Sequence, residues 1–176
     1  MARNYHRELA KKTPRMRNHF ELIGASVPGF GDGQPLQISL KSVSLPKETT
    51  TPLELPYLNT TLKYAGKTEI DDFGAVFYDF LDMPTFQYLS EWRKQVFNQD
   101  TMEMGLASEY KKDDFILRLF GGKLNDDFIR SWKLIGLWPS TLDPGDADMD
   151  SAEEIQVNCT LVADRVERFE GWGIGT

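Results

Sequence analysis

The strongest pattern in the chain is a strict alternation near its end. Ile155, Val157, Cys159, Leu161 and Ala163 share one parity, while Gln156, Asn158, Thr160 and Asp164 share the other. A period of two with β-branched residues predicts a half-buried strand. Before it, FIRSWKLIGLW predicts a second strand from Phe128, ended at Pro139 because proline cannot donate to a sheet ladder. The acidic stretch TLDPGDADMDSAEE joins the two, so the sheet closes late and the earlier segments must supply its neighbours.

Those earlier segments read mostly as strands. His19 to Val27 predicts a first strand, with Phe20 and Leu22 on one side and Glu21 and Ile23 on the other. PGFGDGQP follows as a turn-rich loop; it lacks a Gly-Lys-Ser/Thr and precedes an apparent strand, so it is not a phosphate loop. Leu36, Ile38 and Leu40 alternate with Gln37, Ser39 and Lys41, which predicts a second strand. Pro46 to Pro56, PKETTTPLELP, lacks helical periodicity and reads as a stiff Pro/Thr-rich loop whose Leu53 and Leu55 suit a partner surface. Tyr57 to Gly66 predicts a third strand, with Leu58, Leu62 and Tyr64 opposite Asn59, Thr61 and Lys63, and Phe73 to Leu81 a fourth.

One helix is predicted, about Pro84 to Asn98: Phe86, Leu89, Trp92 or Arg93, and Val96 with Phe97 recur at three-to-four spacing. Asp82 is placed to cap it and Pro84 suits its first turn. A polar connection leads to a strand through Phe115, Leu117 and Leu119, and Gly121-Gly122 signals a hairpin. The fold class is therefore mainly β, an antiparallel sandwich or barrel with one packed helix. A basic arm (1–17), a β domain (18–168) and a Gly-rich tail (169–176) divide the chain.

Charge changes this picture in one respect. Residues 1–17 carry +5 while the whole chain carries −7, which leaves −12 on the rest. An acidic body argues against a DNA-binding module, and the arm reads as a solvated segment that docks on an acidic neighbour. No apolar run approaches the roughly 20 residues of a membrane span. The single cysteine, Cys159, excludes an internal disulfide and fits a reducing cytosol; on the apolar face of its strand it reads as a buried, inert thiol.

Catalytic chemistry finds little footing. The two histidines, His6 and His19, have no partner at metal-ligand spacing. Asp146, Asp148 and Asp150 alternate, but an EF-hand would need Gly at Ser151 and Glu at Val157. No enzyme, no metal and no cofactor are expected. Trp92, Trp132, Trp138 and Trp172 leave one other class open, a β-sandwich that stacks sugars on exposed tryptophans, although the patterns place Trp92 and Trp132 in the core.

Several short motifs in order carry a resemblance. Ser44-Leu45-Pro46 opens a long loop, Ala65-Gly66 closes the next strand, and Asp71-Asp72-Phe73 follows. Then come Ile135-Gly136-Leu137-Trp138-Pro139, Asp148-Met149-Asp150-Ser151 and Glu154-Ile155-Gln156 before the terminal alternating strand. Over roughly residues 18 to 168 this order resembles the tail tube proteins of contractile-tailed bacteriophages, which are related to the tube proteins of bacterial injection devices. The resemblance implies a virion protein, assembled in the bacterial cytoplasm, that forms stacked homohexameric rings inside a contractile sheath. It implies sheath, baseplate and tail-terminator partners and transient passage of DNA. Contact residues then replace catalytic ones: Pro46, Leu53, Leu55 and Pro56 toward the neighbouring ring, and Arg3, Arg7, Arg15 and Trp172 in arm and tail contacts. The polar faces with Gln37, Ser39, Lys41, Asn59, Thr61 and Lys63 would line the lumen, where the two lysines run against the weakly negative or neutral wall that a DNA conduit wants.

Overall fold

The computed structural model describes residues 18–24, 34–120, 130–150 and 152–170. Two four-stranded antiparallel sheets form the body. One has β1 (Phe20–Ile23), β8 (Phe115–Leu119), β9 (Arg130–Ile135) and β12 (Arg165–Glu170) in the order β1-β8-β9-β12. The other has β2 (Leu40–Val43), β5 (Phe73–Tyr78), β10 (Trp138–Asp143) and β11 (Gln156–Val162) in the order β10-β11-β5-β2. Neither closes into a barrel. Two further strand pairs stand apart, β3 (Glu48–Tyr57) with β4 (Thr60–Ile70), and β6 (Phe97–Asn98) with β7 (Glu103–Met104).

One core serves both sheets. Phe73, Ala75, Phe77, Val157, Cys159 and Leu161 of the second sheet meet Leu22, Phe115, Leu117, Trp132 and Leu134 of the first. The alternation that marked β11 is realised, with Val157, Cys159, Leu161 and Ala163 all buried; Ile155, one residue before the strand, is exposed. Burial pushes the Cys159 thiol up to about 12, because a thiolate cannot be solvated there.

Helix α2 (Thr85–Val96) covers this core next to β10. Its Leu89 and Trp92 are buried, Trp92 stacks on Phe115 at 5.3 Å, and the Trp92 indole N–H donates to the Tyr110 carbonyl at 2.7 Å. Asp82 is not its cap. The Phe86 N–H donates instead to Oδ1 of Asp79, 3.2 Å away, so the carboxylate that serves the helix start lies at the end of β5.

Four other expectations need correction. Residues 34–39 form a short helix, α1 (Gln34–Ser39), not a strand. Pro35 presets a helical first turn, and Leu36 and Ser39, three apart, are the buried pair, while Ile38 is 64% exposed. A third helix, α3 (Ala107–Tyr110), lies in the connection read as merely polar. The Pro46–Pro56 segment is not a loop but most of β3, paired with β4. Pro139 does not end a strand either: it lies buried within β10, an edge strand, beside a register shift between Pro139 and Thr141. An edge position and a bulge are where a sheet tolerates proline. The Gly121-Gly122 hairpin signal falls outside the described residues.

The chain changes sheets twice at one corner. β9 passes to β10 through Gly136 and Leu137, and β11 passes to β12 through Ala163 and Asp164. Gly136 has φ +69°, and a Cβ there would collide with the Asp164 carboxylate. The Gly136 N–H donates to Asp113 at 2.7 Å, Leu137 and Lys112 exchange backbone bonds of 2.8 and 3.0 Å, and Lys111 grips Asp164 at 2.6 Å. Gly136→Ala should therefore cost about 1–2 kcal/mol for the left-handed backbone alone, and more for displacing Asp164. Urea unfolding checks this; a loss below about 0.5 kcal/mol would show that the corner tolerates a side chain.

Candidate assembly surfaces

The β3–β4 hairpin is the most exposed part of the described chain. Every residue from 47 to 69 is exposed, and at roughly 3.3 Å per residue its ten-residue strand β3 reaches about 33 Å. It prolongs the β2–β5 pair of the second sheet, since β2 runs into β3 through Ser44–Lys47 and β4 runs into β5 through Asp71 and Asp72. Pro46 is buried at this root.

Cross-strand register sorts its side chains onto two faces. Leu53 opposes Tyr64, Leu55 opposes Leu62 and Tyr57 opposes Thr60, so these residues share a face. The opposite face carries Pro52 with Ala65, Glu54 with Lys63, and Pro56 with Thr61. The first face is apolar and open to solvent, with Leu53 54% and Leu55 48% exposed. Sequence reasoning found Leu53 and Leu55 and missed Tyr57, Leu62 and Tyr64 as their partners. A tight turn at Leu58-Asn59 would have given the register, but Leu58, not a glycine or asparagine, takes the positive φ of 50°.

The residues read as one polar lining are dispersed. Gln37 lies on α1 and its amide donates to Glu21 at 3.4 Å. Ser39 is fully buried, its hydroxyl donating to the Pro35 carbonyl at 2.7 Å, and faces no open surface. Lys41 on β2 pairs with Glu154 at 3.2 Å and sits over the Tyr78 ring at 5.1 Å. Asn59 is at the hairpin tip, while Thr61 and Lys63 share the polar face of β4, where Lys63 pairs with Glu54 at 3.0 Å. Both lysines that ran against an acidic conduit thus have a carboxylate beside them. Arg3, Arg7, Arg15 and Trp172 lie outside the described residues.

A second exposed apolar group sits at one end of the second sheet. Phe80, Leu81 and Ile155 are exposed there, joined by the Asp79 N–H bond to the Ile155 carbonyl. The Glu154 carboxyl nearby is held below its usual range, by a backbone hydrogen bond and then by Lys41.

A cleft of about 460 Å³ between α2 and β10 is lined by Phe86, Arg93, Lys94, Phe97, Asp100 and Leu142, among others. Among its lining residues Asp100 is the one carboxylate, so the cleft shows no pair of carboxylates for acid–base work. Among the described residues no group of three His, Cys, Asp or Glu could hold a metal ion. Nor is any described helix long and apolar enough to cross a membrane. Trp92 and Trp132 are core, and Trp138 is half-buried edge-on to Tyr110. Trp92 and Trp132 therefore offer no open face for sugar stacking.

No family model matches the chain, and no curated protein sequence matches it significantly. Solved structures do. A chain from the sheath/tube terminator of PVC, an extracellular contractile injection system, superposes with a TM-score of 0.67 at 18% identity, over 90% of this chain and 99% of that one. A chain from the tube-terminating cap of the anti-feeding prophage gives 0.67 at 17% identity, over 91% and 93%. One from the PVC sheath–tube complex gives 0.65 at 19% identity, over 94% and 97%. The chain has the fold of the tube and tube-terminator proteins of contractile injection systems.

Proposed function

We propose that this protein is a non-enzymatic structural subunit of the inner tube of a contractile phage tail or a phage-like injection device. In this reading copies form hexameric rings, the rings stack inside a sheath, and the bore is a conduit, for DNA if the device is a phage tail. The arm (1–17) and tail (169–176) serve as flanking contact segments of the β domain between them, with sheath, baseplate or terminator proteins as further partners.

The observation that carries the reading is the β3–β4 hairpin. An isolated two-stranded ribbon is marginally stable in water, and this one spreads Leu53, Leu55, Tyr57, Leu62 and Tyr64 over one face with nothing in the described chain to cover it. A neighbouring copy supplies the cover. The fold likeness to tube and tube-terminator proteins supports a tube as that assembly, and the acidic balance of the body suits a wall that DNA slides past.

Concentrated protein should form rings or tubes, visible by negative-stain microscopy and by sedimentation. Replacing Leu53 and Leu55 with Ser should raise the critical concentration at least about tenfold, since fully burying a leucine contributes about 1.5–3 kcal/mol and each is already about half covered in the subunit. Melting of the free subunit should hardly move, because both side chains are exposed in it. Unchanged polymerisation of the folded double mutant would remove the hairpin from the contact. A wild-type protein that stays monomeric at all concentrations would contradict the tube reading as a whole.

Assembled tubes should also leave duplex DNA free in filter binding at physiological salt. Tight retention there would contradict the conduit, because a sticky wall would stall its cargo.

A further inference from the structure

We propose that a polar clasp at the root of the hairpin sets its angle to the body, with Glu48, Asp71 and Arg168 as positioning residues for assembly. This rests on the reading above that the hairpin is a contact element.

The need for such a device follows from the geometry. A ribbon about 33 Å long amplifies any tilt at its root: about 10° displaces the tip by about 6 Å, more than the spacing between strands. Apolar packing cannot fix the angle, because residues 47–69 are exposed throughout. What remains is at the root. The Asp71 N–H donates to the Lys47 carbonyl at 2.9 Å. Its carboxylate takes the Lys47 ammonium at 2.9 Å and the Thr49 hydroxyl at 3.0 Å, which ties the two strands together where they leave the body. The Asp71 carboxyl is correspondingly held below its usual range, by Lys47 and then Thr49.

Glu48 adds the contact that gives direction. It pairs with Arg168 at 3.2 Å, and Arg168 belongs to β12, the edge strand of the other sheet. The hairpin grows out of the second sheet and is braced sideways against the first. Just above the clasp the ladder is irregular: Thr50 opposes Thr68, whereas Pro52 opposes Ala65, which leaves Gly66 and Lys67 against Thr51. Bulges bend and twist a ribbon. A Cβ on Gly66 would run into the Thr51 carbonyl, so the bulge closes tightly only with glycine. Bend, clasp and brace thus lie within a few residues of one another.

Exposed ion pairs contribute little to stability. Their loss should leave melting almost unchanged and appear in orientation instead, a readout that a merely structural role would not move. Spin labels at Asn59→Cys on the tip and Gln87→Cys on α2 report that orientation by dipolar distance measurement. Buried Cys159 stays unlabelled, its thiol pushed up to about 12.

The labelled protein should give one narrow distance distribution. Arg168→Glu and Asp71→Asn should each broaden or shift it by several ångströms, and the reversal Glu48→Arg with Arg168→Glu should restore it. High salt should broaden it as well, by screening the pairs. In assembly, Arg168→Glu should raise the critical concentration about fivefold and the reversal should lower it again. Distributions that superimpose in parent, Arg168→Glu and Asp71→Asn, or a parent distribution already broad, would overturn the clasp. Failure of the parent to assemble would count against the tube reading and leave the spectroscopic test able to decide the clasp alone.

Discussion

A two-stranded ribbon with one apolar face cannot bury that face by itself, and this constraint organises the molecule. β2 and β5 belong to the body, where Phe73, Ala75 and Phe77 are core. The same two chain segments continue outward as β3 and β4, where nothing is buried. The body stabilises the ribbon's root through covalent continuity and through Asp71 and Arg168. It offers no cover to Leu53, Leu55, Tyr57, Leu62 and Tyr64. Buried in a contact, that face would contribute several kcal/mol; left in water it leaves the ribbon only marginally stable.

The body is rigid where the ribbon needs an anchor. Both long antiparallel partners, β9–β10 and β11–β12, turn from one sheet to the other at Gly136 and Asp164. The corner is held by backbone bonds between Leu137 and Lys112 and by the Lys111–Asp164 pair. Trp92 closes the same side, stacked on Phe115 and bonded to the Tyr110 carbonyl. Side chains from both sheets fill one core, so the orientation of β12, and with it Arg168, is fixed relative to β5 and the hairpin root.

Much of this was legible in the chain, for physical reasons. Alternation over Val157 to Ala163 and the three-to-four spacing of Leu89, Trp92 and Val96 both follow from burial on one side, which leaves a periodic mark. Residues 34–40 misled because Leu36, Ile38 and Leu40 suit a period of two, yet Pro35 and a buried Ser39 belong to a helical turn. Pro139 read as a terminator because its tolerance depends on lying at a sheet edge, which is a tertiary fact. The Pro46–Pro56 half of the hairpin read as a loop because strand β3 is fully solvated and carries Pro52 and Pro56. Only its register against β4 shows that Leu53 and Leu55 share a face with Leu62 and Tyr64. The clasp was invisible, since Glu48 and Arg168 lie 120 residues apart and meet only in the folded chain.

The central claim is that the hairpin is incomplete until a neighbour covers it. Hydrogen exchange of its amides, compared between dilute subunit and assembled protein, tests this directly. Amides from Leu53 to Tyr64 should exchange rapidly in the subunit and become strongly protected on assembly, while those of Val157 to Leu161 in β11 should be protected in both states. Strong protection of the hairpin already in the dilute subunit, or no gain on assembly, would contradict the account.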